Sequence, residues 1–266
     1  MASKSFMVLG DPISHSLSPI IHRAAYNVLG FDWTYDAEQV PKGALEEFLS
    51  SSQADGFSVT MPLKNEAAEV SDHQHKLVQL TGVANTLLRQ GDSFSAYNTD
   101  VFGITQALSK VLKQNVEVVS LIGAGATAKS VLLAIATAKP NLLFDIYVRD
   151  ESRAADLLEL AGELDVFTSV HKLEEFSNFQ HLTVNTLPSD GTVSLPVIDQ
   201  AGYLLNVSYS GVRSKFEESF AESRVISGKE MLVWQALQQI RIFSGLKPEE
   251  HLTNEDAVVE AMFAAL

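Results

Sequence analysis

The run Val116-Glu117-Val118-Val119-Ser120-Leu121-Ile122 followed by Gly123-Ala124-Gly125-Ala126-Thr127-Ala128 restricts the fold more than any other stretch of the chain. An apolar strand pattern enters a glycine turn, and a helical pattern leaves it and continues to Ala138. A glycine triplet alone says little. Here a strand precedes it, a helix follows it, and Ala128 is small enough at the third position for close helix–strand packing. The two glycines would let the backbone approach a pyrophosphate at the helix N-terminus, where free N–H groups and the helix dipole favour anions. The stretch predicts a doubly wound α/β domain that binds a dinucleotide, with Gly123, Ala124, Gly125, Ala126 and Ala128 at the phosphates; a tight turn without a ligand is the alternative.

The next strand pattern, 142–148, ends at Arg149-Asp150, where such folds read the adenine ribose. An acid there accepts from a 2′-hydroxyl and implies NAD, whereas an arginine pairs with a 2′-phosphate and implies NADP. Arg149 and Arg153 could converge on a phosphate while Asp150 caps the helix beginning at Glu151, so NADP is the expected cofactor and NAD the alternative. Strand patterns at 182–185, 204–207 and 224–226 complete the sheet.

The first hundred residues read differently. Phe6-Met7-Val8-Leu9 is a buried strand pattern, followed by the loop Gly10-Asp11-Pro12-Ile13-Ser14-His15-Ser16-Leu17-Ser18-Pro19. Ser14 and Ser16 are two apart, so in an extended segment both hydroxyls point the same way and could grip one carboxylate; ordinary turn hydroxyls are the alternative. Ser18 and Pro19 read as N-cap and first helical residue of a helix with Ile21, Ala24, Ala25 and Val28 on its apolar stripe and Gly30 as its stop. Gly56-Phe57-Ser58-Val59-Thr60-Met61-Pro62-Leu63-Lys64 alternates an apolar face with hydroxyls, ends at Pro62, and delivers Lys64 to a helix start. Residues 82–88 read as a strand in which Asn85 needs partners, because an unpaired buried amide is costly. Gln90-Gly91-Asp92 then turns into Phe94-Ser95-Ala96-Tyr97, which ends in Asn98-Thr99-Asp100, and a helix is expected over 104–112. His73 and His75 have no third ligand near them in sequence, so no metal site is expected.

After Gly228 a helical run, 231–243, closes at Gly245, and a last helix spans 255–265. A chain leaving a cofactor domain in this way is expected to return to its first domain. This places one domain at 1–101 plus 235–266 and the other at 102–234. The 266 residues, 46% of them hydrophobic, suffice for two cores. With 19 Lys plus Arg against 33 Asp plus Glu, the net charge of −14 argues against nucleic acid or anionic membranes as partners. An anionic substrate would need local positive potential, for which Lys64, Arg149, Arg153 and a helix N-terminus are available. The chain has no cysteine, which excludes disulfides, thiol nucleophiles and Cys-bearing metal sites and makes a cytoplasmic location the simplest expectation. Its first residues do not read as a signal peptide, and its longest apolar run is far below the ~18 residues of a membrane span.

With these motifs assembled, the chain resembles the shikimate dehydrogenases over nearly its full length. The 10–19 loop resembles that family's opening loop, in which the serines at the positions of Ser14 and Ser16 hold the substrate carboxylate. Val59-Thr60-Met61-Pro62-Leu63-Lys64 resembles its catalytic lysine motif, and Asn85-Thr86 and Asn98-Thr99-Asp100 its substrate-hydroxyl and catalytic-aspartate segments. Gly228 with Met231-Leu232-Val233 and Gln235 resembles its late motif, in which the glutamine contacts substrate and the glycine and methionine lie by the nicotinamide. The resemblance implies an α/β protein of two domains, an N-terminal substrate domain and a Rossmann-type domain. It also implies reversible NADPH-dependent reduction of 3-dehydroshikimate to shikimate in aromatic amino acid biosynthesis. Lys64 and Asp100 would be the catalytic pair, with Ser14, Ser16, Thr60, Asn85, Tyr209 and Gln235 on the substrate and Gly228 and Met231 on the cofactor. Ser58, Val148-Arg149-Asp150 and Asn206 depart from the commoner Asn, Asn-Arg-Thr and Asp of that family, while Tyr209 is retained. Quinate is the rival substrate, since the two acids differ mainly in ring saturation and one hydroxyl. A non-catalytic metabolite sensor of the same fold would lack Lys64 or Asp100. The chain is expected to be a monomer or homodimer.

Overall fold

Phe6, Val8 and Leu9 of the first strand are buried, as a central strand with both faces covered requires. The computed structural model describes residues 3–176, 181–188, 202–209 and 215–266. The chain divides into two compact units, Met1–Gly103 with Leu232–Leu266, and Ile104–Met231.

In chain order the first unit contains β1 (Lys4–Gly10), α1 (Ser18–Leu29), β2 (Trp33–Gln39), α2 (Leu45–Ser51), β3 (Gly56–Val59), α3 (Lys64–Glu69), β4 (His73–Gln74), α4 (Lys76–Thr81), β5 (Thr86–Gln90), β6 (Ser93–Tyr97) and the start of α5 (Asp100–Ala107). Its six-stranded sheet has the order β2-β1-β3-β5-β6-β4. β1 pairs parallel with β2 and β3, whereas β5 runs antiparallel to both β3 and β6. The β5–β6 hairpin turns on Gly91, at φ 65°, as the Gln90-Gly91-Asp92 signal predicts.

Several local expectations need correction. Ser18 is the first residue of α1, Leu17 holds the cap position, and no side chain caps the helix. The buried stripe is Ser18, Ile21, His22, Ala25 and Tyr26, while Val28 is exposed. His22 and Tyr26 turn inward because their rings pack as core: His22 stacks on Tyr35 at 3.9 Å and its Nδ1 lies 3.3 Å from the Tyr26 hydroxyl. β3 has no solvent-facing hydroxyl side either. Ser58 is buried, accepting from Tyr35 Oη at 2.5 Å and donating to Gln239 Oε1 at 2.8 Å. The helix expected over 104–112 begins earlier, at Asp100.

The second unit holds β7 (Val118–Ile122), α6 (Ala126–Ala138), β8 (Leu143–Val148), α7 (Ala155–Glu163), β9 (Thr168–Lys172), β10 (Leu182–Asn185), β11 (Tyr203–Asn206), α8 (Lys215–Glu218) and β12 (Val225–Ser227). Its sheet, wholly parallel, runs β12-β11-β10-β7-β8-β9, the 3-2-1-4-5-6 order of a dinucleotide-binding sheet. The strand order reverses between β7 and β10, so the turns after these two strands flank the point at which such sheets bind ligands. The helix α9 (Gly228–Phe243) contains the division between units, and α10 (Glu255–Ala264) ends the chain.

Candidate active site

Lys64 is the first residue of α3, placed there by a turn in which Leu63 N–H donates to Thr60 O at 2.9 Å. Its own carbonyl accepts from Ala84 N–H at 2.9 Å, which ties α3 to the residues leading into β5. Asp100 is the first residue of α5, just past the end of β6. The two side chains meet: Lys64 Nζ donates to Asp100 Oδ2 at 2.6 Å, with the lysine side chain 13% and the aspartate 4% exposed. A charge pair this enclosed carries a desolvation cost, so its remaining lone pairs need donors.

Asn85 supplies one. Its Nδ2 donates to Asp100 Oδ1 at 2.8 Å and lies 2.9 Å from Thr99 Oγ1 and 3.2 Å from Gln235 Oε1. The amide cannot be turned over, because Thr99 N–H, which can only donate, points at Asn85 Oδ1 at 2.8 Å. Asp100 thus has one oxygen on Asn85 and the other on Lys64. Gln235, from α9, is itself anchored by Nε2 donating to Leu232 O at 2.9 Å. The expected strand residue Asn85 sits just before β5 and finds the partners its burial demands.

The serine loop is a turn and not the extended segment that the two-residue spacing assumed. Ser16 N–H donates to Ile13 O at 2.9 Å, and Ser16 Oγ accepts weakly from Ser18 N–H at 3.4 Å. Ser14 is exposed and Ser16 half-buried. The loop is fastened to the lysine motif by Asp11 N–H donating to Met61 O at 3.0 Å, next to half-buried Thr60. Two cis peptide bonds, Asp11–Pro12 and Met61–Pro62, lie in these two segments.

In the second unit, Gly123 follows β7 at φ 100°, and a Cβ there would press against Thr186 Oγ1 at the end of β10. Ala124 is half-buried and Gly125 exposed at the cap position of α6, Ala126 opens that helix, and Ala128 is fully buried. Among the described residues no side chain caps α6 and no acid lies in its first turn, an arrangement of leading N–H groups that suits an anion. These residues fit a dinucleotide pyrophosphate.

Past β8, Arg149 and Arg153 are exposed. Asp150 Oδ1 accepts from Ser152 N–H at 3.0 Å and from Ser152 Oγ at 2.8 Å, the capping role expected of it. Those two hydrogen bonds, with a smaller contribution from Arg153, hold the Asp150 carboxyl below its ordinary range. Gly228 opens α9 against the Asn206 and Val207 carbonyls, where a side chain would collide, and Met231 is buried one turn further on. Tyr209 is half-buried beyond β11 in this second unit, whereas the other expected substrate contacts belong to the first.

A parallel sheet with a glycine turn at its reversal point, and an enclosed lysine–aspartate pair held by an asparagine, mark a dinucleotide-dependent oxidoreductase. A family model described as the shikimate dehydrogenase substrate binding domain matches residues 8–87. The shikimate dehydrogenase (NADP(+)) of Nitrosopumilus maritimus (strain SCM1) is 30% identical over 261 residues, covering 92% of this chain and 94% of its own. The chain belongs to the shikimate dehydrogenase family. Its fold is similar to the crystal structure of Mycobacterium tuberculosis shikimate dehydrogenase, with a TM-score of 0.81, 29% identity, and coverage of 98% of this chain and 99% of that one. It is also similar to the shikimate 5-dehydrogenase of Thermus thermophilus, solved in complex with NADP(H) and shikimate, with a TM-score of 0.79, 28% identity, and coverage of 99% and 100%.

Sequence reasoning passed over Thr99, whose backbone fixes Asn85, and Gln239, which lies beneath it. The available signal was Gln235 and Gln239, one turn apart on the helical face that also carries Leu232, Ala236 and Phe243, with Gln238 a third glutamine in the same stretch.

Proposed function

We propose that this chain is a shikimate dehydrogenase that reduces 3-dehydroshikimate reversibly to shikimate with NADPH, on the route to chorismate and the aromatic amino acids. The observation that carries this reading is the 2.6 Å Lys64–Asp100 pair, enclosed and braced by Asn85 in a chain of this family. NADPH, when bound, supplies the hydride that goes to the carbonyl carbon. Negative charge then grows on the carbonyl oxygen, which the Lys64 ammonium stabilises and protonates. Asp100 keeps the ammonium aimed, and in the reverse direction Lys64 takes the proton from the alcohol.

Ser14 and Ser16 take the substrate carboxylate, and Thr60, Asn85, Tyr209 and Gln235 take ring hydroxyls. Residues 1–101 with 235–266 form the substrate domain and 102–234 the cofactor domain. In the latter, Gly123, Ala124, Gly125, Ala126 and Ala128 hold the pyrophosphate, and Gly228 and Met231 serve the nicotinamide end. NADP is favoured over NAD because Asp150 is occupied as a cap while Arg149 and Arg153 are exposed. The test is a rate comparison of shikimate and quinate, each with NADP and with NAD. Shikimate with NADP is expected to give the highest kcat/KM; a chain that turns over quinate alone, or neither acid, would contradict the proposal.

A further inference from the structure

Gln239 is 1% exposed, and its amide makes four contacts, all of them buried. Nε2 donates to Asn85 O at 3.1 Å and to Thr86 Oγ1 at 3.0 Å. Oε1 accepts from Ser58 Oγ at 2.8 Å and faces His22 Nε2 at 3.3 Å. The Asn85 carbonyl can only accept, so the amide nitrogen must point to it and the amide oxygen to Ser58 and His22. His22 Nε2 is then the donor, and Nδ1 accepts from the Tyr26 hydroxyl. Every donor and acceptor of Gln239 is used, and none is spent on its own helix.

The consequence runs toward the reacting groups. With Gln239 Nε2 on one side of Thr86 Oγ1, the threonine hydroxyl proton is directed to Asn85 Oδ1 at 2.9 Å. Thr86 and the Thr99 N–H together fix the Asn85 carboxamide, whose Nδ2 holds Asp100 Oδ1. Gln239 also grips Asn85 by its backbone carbonyl, which accepts from Val59 N–H at 2.7 Å as well. Gln239 thereby touches both the main chain and, through one hydroxyl, the side chain of the residue that sets the aspartate.

We infer that Gln239 is a positioning residue for the catalytic pair, acting through Thr86 on Asn85 and so on the Asp100 carboxylate. The inference rests on Lys64 and Asp100 being the catalytic groups, and its test separates the two. Two variants of the full-length protein carry it: Gln239→Met, and Thr86→Val, which keeps the side-chain shape and does not depend on Gln239→Met folding. Both are assayed with shikimate and NADP, and in both the Asn85 carboxamide signals are followed by 1H–15N NMR, assigned by their loss in Asn85→Ala.

Each variant is expected to lower kcat about tenfold or more, as misplacement remote from the chemistry can. KM for shikimate is expected to rise as well, because Asn85 also takes a ring hydroxyl, but by less than kcat falls. The Asn85 signals move in both variants, and Thr86→Ser restores both the signals and the rate. Unmoved Asn85 signals overturn the inference whatever the rate does, and so does a normal kcat with moved signals. A wild-type protein inactive on shikimate would refute the proposed function, while the NMR arm would still decide whether Gln239 sets Asn85.

Discussion

At the Lys64–Asp100 pair, two unit charges ~4 Å apart at an effective dielectric of ~20 attract by about 4 kcal/mol, and desolvation takes back much of that. The pair is therefore better read as a device for holding an ammonium in place than as a source of stability. Holding it needs both carboxylate oxygens, one on Lys64 and one on Asn85. Asp100→Asn is expected to lower kcat by ~10²-fold, the scale of a misdirected acid–base group, and combining it with Lys64→Ala should cost little more than Lys64→Ala alone. Steady-state kinetics on the two single variants and the double variant checks this; multiplied losses would mean that the two residues act independently. The serines should behave otherwise. Ser14→Ala and Ser16→Ala are expected to raise KM for shikimate with kcat near normal, and an unchanged KM would place the substrate carboxylate elsewhere.

At the element scale, the strand–turn–helix of β7 and α6 was legible because its signals are local: an apolar strand run, then glycine, then a helical stripe. Gly123→Ala tests it. The alanine would meet Thr186 Oγ1 and sit at φ 100°, so it is expected to lower the melting temperature and weaken NADP binding at least about tenfold, a strain cost of ~1–3 kcal/mol. Calorimetry and cofactor titration check it, and wild-type behaviour would show that the turn tolerates a side chain. Arg149→Ala, at the end of β8, is expected to raise KM for NADP while leaving that for NAD unchanged; equal effects on both cofactors would remove Arg149 from the 2′-phosphate. Elements built by non-local pairing were not legible. β4 has two exposed residues and exists only as a parallel partner of β6, and β9, Thr168 to Lys172, is an edge strand with hardly an apolar face. Residues hidden the same way are His22 and Gln239. Their polar identity reads as helix surface, yet each is buried by partners distant in sequence.

For the whole molecule, acid is the natural stress. Burial drives the His22 pKa down to about 3, against a smaller opposing effect of its Gln239 hydrogen bond. A histidine kept neutral in the folded state is protonated first in the unfolded chain, so its contribution is intact above pH 6.5 and erodes as pH falls from there toward 3. Burial raises the Glu255 pKa, but hydrogen bonds from Arg241, the Leu252 N–H and His251 outweigh it and hold the carboxyl at about 2, so its contribution is lost only as pH falls from 4.5 through that value. The melting temperature is therefore expected to decline from pH 6.5 downward, and His22→Gln should flatten the slope between pH 6.5 and 4.5 while leaving the steeper fall below it. An unchanged slope in His22→Gln would mean that His22 is accessible to protons in the folded protein.

The two-unit architecture and the meeting of Lys64 with Asp100 were both legible because separated motifs name them, whereas the bracing beneath the pair was not, because it is assembled by tertiary contacts. The central claim is that Lys64 carries the chemistry, and the kcat of Lys64→Ala for shikimate oxidation with NADP tests it most directly. The account predicts a loss of ~10²-fold or more with KM little changed; near-normal turnover would contradict it.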